Sequence, residues 1–188
     1  MTEANAALAI LRRAVENERQ GYHFYQAAVT RTVDTRGKEM FESLGKDETR
    51  HLHLLLVEYQ SLEKGEGWVN PQEAMEQEIE IDMSQPLFPE EGMAPVSFPW
   101  DEASAGEWDE LQTDLAVLKF GMEMEERFYE MYKSALDEAV PDSPAAWAYR
   151  FLMTEENRHF KLLQEAHNYL DENEVWWDDW QKPFFEGG

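Results

Sequence analysis

Glu48-x-x-His51 and Glu156-x-x-His159 each set a carboxylate and an imidazole three residues apart, a spacing that puts both groups on one face of a helix. Alone, that spacing is common enough by chance to be weak. Its setting strengthens it. Phe41, Leu44, Glu48, His51 and Leu55 form a stripe at intervals of three and four, and Tyr149, Leu152, Glu156, His159 and Leu163 repeat it 108 residues later. A second stripe, Leu8, Leu11, Val15, Glu18, Tyr22, Tyr25 and Val29, returns 107 residues later as Leu115, Leu118, Met122, Glu125, Tyr129, Tyr132 and Leu136. Each half of the chain therefore brings one inward glutamate and one inward Glu-x-x-His.

Four carboxylates facing a common core are costly to desolvate and repel one another, so something must neutralise them. Arg19, Arg50 and Arg158 lie one position off the stripes, about 100° round each helix, and are expected at the rim. Two divalent cations would balance the four charges, with two neutral imidazoles completing the shells. Oxygen and nitrogen donors without sulfur suit iron or manganese. The expected ligands are Glu18, Glu48, His51, Glu125, Glu156 and His159, which would act through the bound metals; the competing reading is a metal-free polar network. Tyr25 and Tyr132 are placed to donate hydrogen bonds to ligand carboxylates, although buried aromatics need no such role. His23, His53 and His167 fall off the stripes and are not expected as ligands; Met122, Met124 and Met131 read as packing residues.

These groups need long helices to hold them. A proline-free run predicts a first helix over about 3–33 with Thr2 as its N-cap, and a second over 35–64 that Gly65 and Gly67 end. A third spans about 108–139, and a fourth, begun by Ser143-Pro144, spans 143–173. Short turns make each pair antiparallel. Between the pairs, residues 65–107 hold five of the eight prolines, Pro71, Pro86, Pro89, Pro95 and Pro99, and form a crossover with a short helix near 71–80. The expected fold is all-α: a single ferritin-like antiparallel four-helix bundle over residues 1–188, two helical hairpins joined by one long crossover. The tail over 174–188, with Trp176, Trp177, Trp180, Phe184 and Phe185, is too aromatic for water and is expected to cover the bundle or the partner in a homodimer.

Composition narrows the function. The chain has 188 residues, 43% of them apolar, enough for one sizeable core. It has no cysteine, which excludes disulfides, thiolate zinc, iron–sulfur clusters and cysteine nucleophiles. Forty acidic residues against sixteen basic give a net charge of −24, which argues against nucleic acid or an anionic membrane and favours cations. No apolar run is long enough to span a bilayer and the first residues lack a secretory pattern, so a cytoplasmic protein is expected.

Ala14-x-x-x-Glu18 with Tyr25, Glu48-x-x-His51, Glu125 with Tyr132, and Glu156-x-x-His159 together resemble the di-iron domain of the rubrerythrin family in the ferritin-like superfamily. The resemblance covers the four helices. It implies two iron ions, or manganese or a mixed pair, with Glu48 and Glu156 bridging and Glu18, Glu125, His51 and His159 terminal. It also implies an oxidoreductase acting on peroxide or dioxygen; the alternatives are ferritin-like iron oxidation and storage, and manganese-dependent peroxide disproportionation. Two features depart from the family. Without cysteine there is no rubredoxin module, so electrons must come from an external donor. The further glutamate one turn after the third-helix ligand is here Phe128, and its repeat mate is Gly21.

Overall fold

In the computed structural model, which describes residues 3–85, 87–88, 98 and 109–177, the elements in chain order are α1 (Glu3–Arg31), α2 (Thr35–Glu63), α3 (Pro71–Glu76), α4 (Glu110–Glu138) and α5 (Pro144–Asn173). Each start has a local cause. Asp34 accepts from the Arg36 backbone amide and caps α2. Asp109 and Gln112 form a reciprocal capping box on α4, which sets its start after Trp108. Ser143 caps α5 ahead of Pro144, and Asn70 caps α3 ahead of Pro71. The capping role expected of Thr2 lies outside the described residues.

The ends are equally local. Gly65 and Gly67 take φ of 77° and 88° just past α2, a region glycine enters without a Cβ penalty. The short helix stops at Glu76 rather than near residue 80, in a run where Glu76, Glu78 and Glu80 would crowd like charges.

α1 packs along α2 and α4 along α5, and the two hairpins meet through α1 and α4. Thr32, past the end of α1, bonds Asp114 at the start of α4 (2.9 Å), so those two helices run antiparallel. α2 and α4 consequently run the same way. The crossover must travel the bundle's length, about 40 Å for a helix of this size. This is the expected ferritin-like arrangement. Leu11, Val15, Phe41, Leu44, Leu55, Leu118, Leu152 and Leu163 are buried along its axis.

The tail covers the bundle as far as it is described. Trp176 and Trp177 are buried, and Trp176 donates to Asp114 (2.8 Å). A Cβ on Gly37 would lie 2.7 Å from the Trp176 ring, so only glycine lets the indole sit down there. The Arg36 guanidinium holds the Trp177 carbonyl. Trp180, Phe184, Phe185 and most of residues 86–108 lie outside the described residues.

One rim expectation fails. Arg19 is 0% exposed rather than at the edge, its guanidinium against Glu16 at 3.1 Å. The crossover occupies this outer face of α1, where Arg12 stacks over Phe88 at 4.6 Å and His23 bonds to the Met83 backbone. Sequence periodicity treats that face as solvent, but a strap makes it interior. Arg50 and Arg158 do lie at the edge.

Candidate metal centre

Glu18 on α1, Glu48 and His51 on α2, Glu125 on α4, and Glu156 and His159 on α5 converge at one level of the bundle, and all six are buried. Their donor atoms fall into two overlapping groups. Glu18, Glu48, His51 and Glu156 each offer an atom within 4.8 Å of the others, as do Glu48, Glu125, Glu156 and His159. Glu48 and Glu156 belong to both groups.

Space for Glu48 comes from Gly21, where an added Cβ would sit 3.0 Å from its carboxylate oxygen. His51 Nδ1 lies 3.2 Å from Glu18 and 3.3 Å from Glu156, while His159 Nδ1 lies 3.2 Å from Glu48 and 3.6 Å from Glu125. Both rings thus aim Nδ1 at the carboxylates. The tyrosines cross between hairpins: the Tyr25 hydroxyl donates to Glu125, and Tyr132 donates to Glu18. Seven residues is about 10 Å along a helix, too far for either to reach the glutamate of its own helix. The antiparallel pairing of α1 with α4 closes that distance.

Electrostatics separates the carboxylates into two kinds. Burial, then the charge of Glu18, push Glu48 well above the usual carboxylate range; burial with Glu18 and Glu125 does the same to Glu156. Burial also opposes ionisation of Glu18 and Glu125. There it is outweighed, by Glu48, His51 and Tyr132 for Glu18, and by Glu156, His159 and Tyr25 for Glu125, so both are lowered. Burial and the adjacent carboxylates raise both tyrosine hydroxyls well above their ordinary value. Burial works against charging His159, but Glu125, Asp47 and Glu48 raise it.

Among the described residues, both oxygens of Glu48, both of Glu156, Glu125 Oε2 and His159 Nδ1 are buried without a well-directed hydrogen bond, close as the imidazoles stand to the carboxylates. Buried oxygens left this way are expensive unless a cation satisfies them. A hard, oxygen-rich donor set with two imidazoles fits divalent iron or manganese.

Two further carboxylates were not legible as site residues. Asp47 accepts from Arg158 at 2.7 Å and faces His159 Nε2 at 3.4 Å, which fixes the ring that presents Nδ1 inward. Glu155, its repeat mate, lies within 4.8 Å of nitrogens of both histidines. The signal was present: each directly precedes the glutamate of a Glu-x-x-His. His23, His53 and His167 contribute nothing here. A surface groove of about 490 Å³ runs between α1 and α4 beside Ile10, Arg13 and Met131, and its lining includes none of the six donors.

The rubrerythrin family model matches residues 9–167, which is most of the chain. The chain belongs to the rubrerythrin family. No curated protein matches it in sequence. Among solved structures it is similar to a dodecameric thioferritin, the bacterioferritin-related protein from Bacteroides fragilis, at 14% identity over 92% of this chain and 90% of that one, with a TM-score of 0.51. At that identity the likeness speaks for the ferritin-like fold alone. Among the described residues of this rubrerythrin-family chain no helix is long and apolar enough to cross a membrane.

Proposed function

We propose that this rubrerythrin-family protein is a dinuclear-metal oxidoreductase, with Glu18, Glu48, His51, Glu125, Glu156 and His159 as ligands and Glu48 and Glu156 shared between two ions. The observation that carries the reading is the overlap of the two donor groups on two fully buried glutamates whose oxygens make no well-directed hydrogen bond among the described residues. When bound, a pair of iron ions supplies two-electron chemistry toward peroxide or dioxygen, restored by an external electron donor. The chain does the rest. Tyr25 and Tyr132 hold Glu125 and Glu18 in place with their hydroxyl protons, each high enough in pKa to remain a donor throughout neutral pH. Asp47 orients His159, and the buried core excludes water. Phe151 closes over His51 edge-on at 6.1 Å and stacks in turn on the exposed Trp147.

The test is metal analysis of the purified protein, then anaerobic reduction and rapid mixing with peroxide or oxygen. Two ions per chain and repeated reoxidation support the proposal. Iron accumulating well beyond two per chain would move the assignment to storage, a reading that the net charge of −24 favours by attracting cations. Absence of bound metal after reconstitution would end both.

A further inference from the structure

The six donors are sealed, yet ions must reach them. α2 and α5 face each other through side chains that bridge the space between them, His51 approaching Glu156 at 3.3 Å and Arg158 reaching Asp47 at 2.7 Å. On this face, beside the donors, stand three partly exposed charged groups: Asp47 at 15%, Glu155 at 20% and Arg158 at 31% exposure. On the opposite face, Tyr25 and Tyr132 are wholly buried between α1 and α4.

Arg158 crosses the gap. One guanidinium nitrogen reaches Asp47 on α2 at 2.7 Å and Glu155 on its own helix at 3.0 Å. It therefore sits as a positive charge over the outer edge of the histidine pair, whose rings stack 5.5 Å apart. Behind it are the unpartnered, fully buried oxygens of Glu48 and Glu156. Glu155 stands between, one-fifth exposed and within 4.8 Å of nitrogens of both His51 and His159. A dication arriving from solvent would meet a fixed cation at the gap while the bridge is closed, and two free carboxylates when it is open.

We infer that the Asp47–Arg158–Glu155 bridge is the gate through which divalent cations reach the dimetal site, and that Glu155 is the transit ligand that takes the ion first. The inference rests on the dimetal reading above. Arg158 swings outward, Glu155 exchanges a water of the incoming ion for a carboxylate oxygen, and the ion then passes to the unpartnered oxygens behind. Closing the bridge afterwards places Arg158 against Asp47 and Glu155, which keeps the loaded site shut.

Anaerobic stopped-flow uptake of Co²⁺ by metal-free full-length protein tests this, read from the cobalt absorption bands, with ion stoichiometry measured at equilibrium. A charge-assisted bridge of this kind favours the closed form by a factor of about ten or more, so Arg158→Ala is expected to speed uptake about tenfold. Glu155→Gln is expected to slow it, with the same final stoichiometry. Arg50→Ala is the control: Arg50 is 60% exposed and pairs with the same Asp47 at 3.4 Å, so its loss changes the local charge equally without opening the bridge. A clearly larger effect at Arg158 than at Arg50 supports the gate. Equal effects at Arg50 and Arg158 would show a general field and overturn it, as would unchanged rates in Arg158→Ala and Glu155→Gln. A parent that binds no Co²⁺ would instead refute the dimetal reading beneath.

Discussion

Tyr25 and Tyr132 show how one hydroxyl serves both packing and charge. Each is fully buried and donates to a glutamate that burial alone would hold protonated. Removing the hydroxyl leaves the carboxylate in the same dry place with one fewer donor. Tyr132→Phe is therefore expected to weaken cobalt affinity by about tenfold while leaving the helix content intact, measured by titration and circular dichroism. The raised carboxylates have the opposite consequence. Glu48 and Glu156 bind protons more tightly folded than unfolded, so without metal their contribution to stability is complete below about pH 4.5 and is lost as pH rises through their folded values. Glu58, buried and raised to about 7, adds in the same direction between 4.5 and about 7. Glu18, Glu125 and Asp47, all lowered, act the other way in more acid solution, so melts of metal-free protein are expected to show stability falling from about pH 4.5 to neutral pH. Replacing Glu18 and Glu125 together with Gln should flatten that fall, because the charges that oppose ionisation of Glu48 and Glu156 are gone; an unchanged slope would remove this account. The convergence of the six candidate ligands was legible because each sits where a helix repeat demands an apolar residue. Asp47 and Glu155 were not, since their helix positions point to solvent and only the packing of α2 against α5 brings them to the histidines.

At the scale of elements, the four long helices could be read from proline-free periodic runs and from caps such as Ser143-Pro144. The antiparallel course within each hairpin followed from its short turn, but which helices join the two hairpins did not, because pairing between α1 and α4 leaves no local mark in either. The same holds for the strap over Arg19. The tail was legible as something that must be covered, but its seat was not: that depends on Gly37, Thr32 and Asp114 from three separate segments. Trp176→Phe keeps most of the buried surface and leaves Asp114 without one of its two donors. It is expected to cost about 1–3 kcal/mol, read as a lower denaturation midpoint with an unchanged slope. Gly37→Ala should destabilise by a similar amount for a steric reason, its methyl having no room beneath the indole.

For the whole molecule, metal is expected to act as part of the fold. Ions that bind only the converged donors stabilise by mass action, so saturating Fe²⁺ or Mn²⁺ should raise the melting temperature of the parent. Because burial and the neighbouring carboxylates push Glu48 and Glu156 well above the usual carboxylate range without metal, loading should displace protons and acidify a weakly buffered solution. A pH-stat reads the released protons directly, and uptake without release would contradict the assigned protonation.

The exchange in which Tyr25 reaches Glu125 while Tyr132 reaches Glu18 has a consequence for assembly. Contacts that swap in this way are the mark of an isologous interface, where one surface patch meets its own copy. The two hairpins are thus related as subunits of a symmetric dimer, and the chain between α3 and α4 is the tether that joins them. A tether turns association into an intramolecular event at an effective concentration on the order of millimolar. Intact protein should therefore melt at a temperature independent of its dilution. Cutting the chain once between α3 and α4 should make that temperature climb with protein concentration, as it does for separate subunits.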